Sequence, residues 1–408
     1  MRGAEKSTRP TRLFLQLQLM AAQADRKSRP FMKIAHLISH DVLNGVATST
    51  KTLIDNQIKA GHEVMLIHPR KSWIERQKFA GPVKMLQSSF RTNPTDLRNT
   101  GYPIRDWGRT LVHAHGSRAN KFLMIFTIAD GAPAVMTAHT RQFQIPWRFA
   151  HAVVGLSRQT ADYYIKRLLV SPSRMHIVPN MFDSAALQPV SAEARSLARQ
   201  KLGIRENTFL LGSVGLIGVR KRQIDMLAIL KQLLEKGIDA ELMLVGGLDG
   251  KEGMPGWHAA LKDPILNGKV HLVGPREDAV ELVAAMDLFL CTSIAEEAPI
   301  APLEAMAQAI PAISTDVGNM EDLLPADRLF TVGDVDGLSK AAERFARNPQ
   351  WQVEAGAADR QKVTEQLAPE AMLPQIEDIY LAALSRARDR GWKYFKNPAD
   401  RWVPGKAR

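Results

Sequence analysis

The 408-residue chain holds a single cysteine, Cys291. That excludes an internal disulfide and a cysteine-built zinc site. Cys291 lies in the apolar run DLFLCTS (287–293), where a buried filler is expected rather than a nucleophile. No apolar run approaches the roughly 20 residues that a membrane-spanning helix needs. The spaced glycines of a dinucleotide fingerprint are missing, and so is a P-loop lysine. There is no short-period repeat. The body of the chain also lacks net charge, although the whole carries +12. Residues 1–33 hold eight basic groups against Glu5 and Asp25, a net +6, and residues 385–408 hold eight against Asp389 and Asp400, again +6.

The excess therefore belongs to the ends. Basic ends seek polyanions such as anionic lipid. The C-terminal one interleaves aromatics (GWKYFKNPADRW, 391–402), which suits a membrane interface; a merely solubilising tail is an equal alternative. Nucleic acid is not the expected partner. RLFLQLQLMAAQA (12–24) imitates a secretory signal, but Gln16 and Gln18 interrupt its core and a basic cluster follows. Residues 1–31 are expected to be a disordered, uncleaved extension, or Met32 to be the first residue. Either places the protein in the cytoplasm, peripheral to the inner face of the plasma membrane where the basic ends engage it.

Hydrophobic content of 45% and charged content of 24% are those of an ordinary globular protein, and the length suits two domains. From Met32 onward, short apolar runs alternate with helical patterns. KIAHLIS (33–39), EVMLIH (63–68), LVHAHG (111–116), AVMTAH (134–139), AVVGLS (152–157) and MHIVPN (175–180) read as strands. The pattern lapses near Asp183–Ala198 and then restarts. FLLGSVGL (209–216), AELMLVGG (240–247), VHLVG (270–274), LFLCTS (288–293), PAISTD (311–316) and LFTVG (329–333) follow. Continuous apolar strands separated by helices signal parallel sheets covered on both faces. The expected fold is α/β, with two doubly wound Rossmann-like domains (32–185 and 186–368) facing a cleft, a helix over 369–390 and a basic aromatic tail over 391–408. Residues 70–110 are expected as loops.

Ligands of such sheets bind beyond the carboxyl ends of the strands, so the residues after each run are the candidates. In the first domain these are Asn44–Ala47, His115–Gly116 and His139–Thr140. In the second they are Gly215–Lys221, Gly246–Gly247 and Glu296–Glu304. VRKR (219–222) precedes a helix. Cations there oppose the helix dipole unless an anion joins them, which makes Lys221 and Arg220 phosphate candidates. Glu296 and Glu304 lie eight positions apart, with Pro299 and Pro302 forbidding one helix through both. Glu296 then belongs to a loop and Glu304 to a first helical turn. Carboxylates accept paired hydrogen bonds from vicinal hydroxyls, and a helix N-terminus suits phosphate. Together they describe a nucleotide sugar.

At these residues the sequence resembles a retaining nucleotide-sugar glycosyltransferase of the GT-B fold, glycosyltransferase family 4. The carrying motif is EEAPIAPLEAMAQAIPAISTDVGNMEDL (296–323), which resembles the family's E-x7-E signature. VGLSRQTADYYI (154–165), GSVGLIGVRKR (212–222) and VHLVGPREDAVELVAAMDLFLCTS (270–293) support it. The resemblance implies a hexosyltransferase-type enzyme with an acceptor-side first domain and a donor-binding second domain. It implies that the 369–390 helix crosses back to the first domain. His139 and Glu296 would serve the reaction. Gly45, Gly215, Arg220, Lys221, Glu296, Ile300, Ala301 and Glu304 would bind a UDP- or GDP-sugar, with Glu304 on the ribose and Lys221 on the diphosphate. No cofactor and no metal are implied, and the acceptor would be a glycan or a lipid-linked sugar of bacterial surface-polysaccharide synthesis.

The sequence departs from the family at three places. Leu216 stands where an arginine is usual, Glu297 where a glycine is usual, and Asn319 after Gly318 where glycines pair. DVD (334–336) resembles a metal-binding pair, but helix N-capping is the better reading. His113 and His115 are expected on opposite faces of their strand, with only His115 reaching the cleft. His36, His62 and His271 are expected in core or surface roles. A nucleotide-sugar epimerase shares this architecture, and a non-catalytic binding protein is the other alternative.

Overall fold

The computed structural model describes residues 29–250 and 253–389. Nearly all of both basic ends, on which the membrane-surface expectation rests, lies outside the described residues. No helix among those residues is long and apolar enough to cross a membrane.

The first half contains β1 (Lys33–Ile38), α1 (Gly45–Lys59), β2 (Glu63–His68), β3 (Val83–Gln87), α2 (Pro94–Asp106), β4 (Leu111–His115), α3 (Ser117–Asp130), β5 (Ala134–Ala138), β6 (Ala152–Gly155), α4 (Arg158–Lys166) and β7 (Met175–Ile177). Its seven strands order as β3-β2-β1-β4-β5-β6-β7, all parallel. β4, β5 and β6 are buried at every position, as expected for strands covered on both faces. β3 and α2 fall in the 70–110 stretch expected as loop. VKMLQ escapes detection because it is an edge strand: only half of its surface needs to be apolar, so Lys84 and Gln87 dilute the pattern.

The second half contains α5 (Ala192–Leu202), β8 (Phe209–Val214), α6 (Gln223–Glu235), β9 (Ala240–Val245), β10 (Val270–Gly274), β11 (Leu288–Cys291), α7 (Ile300–Ala307), β12 (Ala312–Thr315), β13 (Leu329–Phe330), α8 (Val335–Arg347), α9 (Pro349–Gln366) and α10 (Pro369–Asp389), with a few single helical turns between. The six strands order as β10-β9-β8-β11-β12-β13, again parallel. Cys291 is buried and free. Asp334 caps α8, its carboxylate accepting from the Gly337 amide at 2.9 Å, the capping role expected of it.

α10 returns to the first sheet. Met372, Ile376, Tyr380 and Ala383 share a core with Ile34, Val135 and Val154. Phe182 donates its amide to the Leu367 carbonyl at 2.9 Å, tying the chain's crossing point to the start of this helix. Each fully buried large apolar side chain here contributes about 1.5–3 kcal/mol.

Candidate active site

Each sheet has one point where the strand order reverses, between β1 and β4 in the first and between β8 and β11 in the second. Loops from both points border one cavity of about 720 Å³. Gly45, Val46, His139 and Arg141 line it from the first half, and Arg220, Ala295, Glu296 and Glu297 from the second.

The second wall is ionised. Gly215, after β8, and Gly246, after β9, both have φ of +148°, and a Cβ on Gly246 would lie 2.0 Å from the Gly215 carbonyl oxygen. Only glycine lets these two loops approach so closely. The Thr292 hydroxyl then donates to the Lys221 and Arg222 carbonyls at 2.9 and 3.1 Å. The Ile294 amide donates to the Arg220 carbonyl at 2.8 Å. So pinned, Arg220 Nη1 sits 2.6 Å and Lys221 Nζ 2.9 Å from the two oxygens of Glu296. Burial pushes the Glu296 carboxyl up, but Lys221 and Arg220 outweigh it and hold the group below its ordinary value. Two cations on one carboxylate leave a net positive charge, the electrostatic requirement for a phosphate ligand. Arg222 is committed elsewhere, bidentate on Asp225 at 2.7 and 2.9 Å. Leu216 is half exposed and brings no charge.

Glu304 lies on α7. The helix begins at Ile300, so Glu304 falls in its second turn, not the first as expected. Pro299 serves as the N-cap, and Pro302 fits inside because the early amides of a helix need no partner. The Glu304 carboxyl makes no hydrogen bond or ion pair among the described residues, and burial alone pushes it up to about 7. Ile300 stands one turn earlier on the same face. Its Cδ1 lies 3.6 Å from a Cβ built on Gly45, so the two walls meet there and a larger residue at 45 would fill the gap.

Beside Arg141, the first wall presents a neutral histidine. His139 is half-buried, and burial pushes its imidazole down to about 3. It therefore acts as a hydrogen-bonding group and not as a cation. Its Nε2 lies 3.2 Å from His115 Nδ1.

Glu297 bridges the walls. Arg141, in the loop after β5, donates to it at 3.1 Å, and Thr160 on α4 donates its hydroxyl to the other oxygen. Beside this, Gln159 reaches the carbonyl and carboxylate of Asp316 at 3.1 and 3.2 Å. Desolvation raises Glu297 to about 7 despite Arg141. The extra acid thus holds the two halves together.

Of the expected residues, Gly45, His139, Arg220 and Glu296 line the cavity. Lys221 joins them through Glu296, and the Lys221 and Ile300 side chains stand where a Cβ on Gly215 and on Gly45 would meet them. Ala301 and Glu304 continue α7 but are not among the lining residues. The expectation for His113 and His115 fails. Strand side chains repeat with period two, so positions two apart share a face; the rings lie 4.2 Å apart, and both are buried behind the cleft. Arg141 was missed, although its position two residues past His139 is itself a strand-end signal. Thr160 carries no such signal.

The model of the family described as Glycosyltransferase Family 4 matches residues 43–186, and that described as Glycosyl transferases group 1 matches residues 194–364. The chain is 23% identical over 293 residues to the UDP-Gal:alpha-D-GlcNAc-diphosphoundecaprenol alpha-1,3-galactosyltransferase of Escherichia coli, covering 66% of this chain and 75% of that protein. It is 33% identical over 165 residues to the lipopolysaccharide glucosyltransferase WaaG of Escherichia coli, covering 39% and 42%. Among solved structures, Anabaena HepE in complex with UDP-glucose superposes with a TM-score of 0.73 at 19% identity, over 85% of this chain and 98% of that one.

Proposed function

Because the chain is a glycosyltransferase enzyme belonging to group 1 and family 4, we propose that it moves a sugar, with retention, from a nucleoside-diphosphate sugar to a glycan or lipid-linked acceptor of a surface polysaccharide. The observation that carries this is the Arg220–Glu296–Lys221 cluster on one wall, facing His139 and Gly45 on the other.

The bond that breaks joins the anomeric carbon to the diphosphate oxygen, and the leaving group gains negative charge as it departs. Lys221 and Arg220 supply cationic stabilisation where that charge develops. Glu304, half-buried and unpaired among the described residues, is suited to accept the ribose hydroxyls. Gly45 leaves room where α1 meets α7, and His139 faces the sugar as a neutral hydrogen-bonding group. The basic ends would bring the chain to the anionic membrane surface where a lipid-linked acceptor lies.

A donor screen reading acceptor-dependent release of nucleoside diphosphate tests the proposal. Release with one UDP- or GDP-sugar, and its loss in Lys221→Ala, is the expected result. Interconversion of the nucleotide sugar without acceptor would instead identify an epimerase.

A further inference from the structure

Behind His139 lies a chain of buried hydrogen bonds that the transfer chemistry above does not use. Gln57, in the last turn of α1, is fully buried. Its amide nitrogen donates to Tyr380 Oη on α10 at 2.8 Å. Its carbonyl oxygen, which can only accept, therefore takes the Nε2 proton of His36 at 2.8 Å. A neutral imidazole has one N–H, so His36 Nδ1 is bare. It lies 3.0 Å from His115 Nε2 and must accept from it. His115 Nδ1 is then bare in turn, and it accepts from His139 Nε2 at 3.2 Å. The remaining nitrogen of His139, Nδ1, is left with a lone pair. The side branch obeys the same rule. Tyr380 Oη accepts from Gln57 and donates to His113 Nδ1 at 2.8 Å, and His113 Nε2 donates to Thr137 Oγ1 at 2.7 Å. Each donor along both branches meets an acceptor.

We infer that Gln57, His36 and His115 are positioning residues that hold His139 in a single tautomer, with its proton on Nε2 and its Nδ1 lone pair available; this rests on the reading that His139 faces the transferred sugar. The direction of the chain is set at Gln57, because an amide has one donating and one accepting end. Each link copies that direction to the next ring, since a mismatched link would bury two protons or two lone pairs against each other. Leaving a buried polar group unsatisfied is costly enough to bias a tautomer pair by about five- to 150-fold. Burial keeps the imidazoles neutral, as the one-proton rule requires: it lowers His36 to about 4 and His113 and His115 well below their ordinary value. The connection also ties the cleft to α10, whose Tyr380 holds the Gln57 amide from the opposite side.

A metal is the competing explanation, since His36, His113 and His115 each bring one ring nitrogen within 4.8 Å of the others. A ligating histidine gives one nitrogen to the metal and one to an outer partner. Both nitrogens of His113 already have outer partners, which leaves His36 and His115 as two ligands rather than three.

The test is the tautomer itself. The full chain, labelled with ¹⁵N-histidine, is examined by long-range ¹H–¹⁵N correlation, with the His139 signals assigned by their loss in His139→Gln. The wild type should show a protonated-type Nε2 and a bare-type Nδ1 at His139. Gln57→Leu should move both toward averaged, mixed-tautomer shifts and lower kcat about tenfold, with the KM for donor unchanged. Tyr380→Phe conserves volume and frees the Gln57 amide; it should shift His139 in the same direction and serves if Gln57→Leu does not fold. A bare Nε2 or an even tautomer mixture in the wild type overturns the inference, as do unchanged shifts in both variants. One equivalent of tightly bound zinc on the purified chain would also overturn it. Wild-type turnover in His139→Ala would remove His139 from the sugar while leaving the spectrum to judge the relay.

Discussion

On the wall of the cleft built by the second half the polar groups are ionised and in contact: Arg220 and Lys221 share Glu296 at 2.6 and 2.9 Å. On the opposite wall, apart from Arg141, which pairs with Glu297, they are neutral imidazoles linked in series, with His139 the outermost. The loops responsible occupy equivalent places at the carboxyl ends of two parallel sheets. The backbone plan therefore does not decide the chemistry; desolvation and partners do. Where a buried acid meets two cations it stays charged, and where four histidines meet one another, His40, an amide, a threonine and a tyrosine, they stay neutral. A diphosphate requires the first kind of wall. A sugar, which is uncharged and rich in hydroxyls, requires the second.

Removing the charge should break this contrast most strongly. Lys221→Ala should lower kcat/KM by about 10²–10³-fold, the scale of losing one donor aimed at developing negative charge, read in a nucleotide-release assay. The paired Arg220→Ala change should be smaller, because Arg220 is more exposed. On the neutral wall, His139→Ala should cost about tenfold in kcat, the scale of one hydrogen bond. Because burial holds His139 at about 3, the pH–rate profile between 5 and 9 should show no inflection that disappears in this variant. An inflection abolished by His139→Ala would make the wall ionisable and end the comparison.

Glu304 sharpens it through two opposite pH trends. Its carboxyl is raised to about 7 by burial. Donor affinity should then fall as pH drops from 8 to 6, since protonation removes the charge that accepts the ribose hydroxyls, and Glu304→Gln should flatten the trend. Stability should run the other way. A carboxyl raised in the folded state contributes stability that is present below its unfolded value and lost as pH rises through 7. Glu304→Gln should therefore raise the free energy of unfolding at pH 8 by roughly 1–3 kcal/mol, measured by denaturant titration. The smallest effect is expected at the clasp. Arg141→Ala removes the cation from Glu297 and should change kcat/KM about two- to fivefold, the scale of a part-exposed ion pair. Glu297→Gln, which keeps an acceptor for Thr160, should change it less.

The chain's own pattern was enough to determine the two parallel sheets, the loops at the strand ends that border the cleft and the separation of Glu296 from Glu304. Apolar runs, prolines and glycines act over a few residues, and a local signal is legible in a local window. The edge strand β3 was lost because half-exposed strands dilute that signal. Tertiary structure alone decided what the side chains became. In sequence Glu297 is only an acid where a glycine is usual; Arg141 and Thr160, 156 and 137 residues away, make it a bridge between halves. His36, Gln57, His115 and Tyr380 come from two strands and two helices, and nothing in their spacing relates them. Protonation state and hydrogen-bond direction depend on burial and on which groups meet, and both are set when the chain packs.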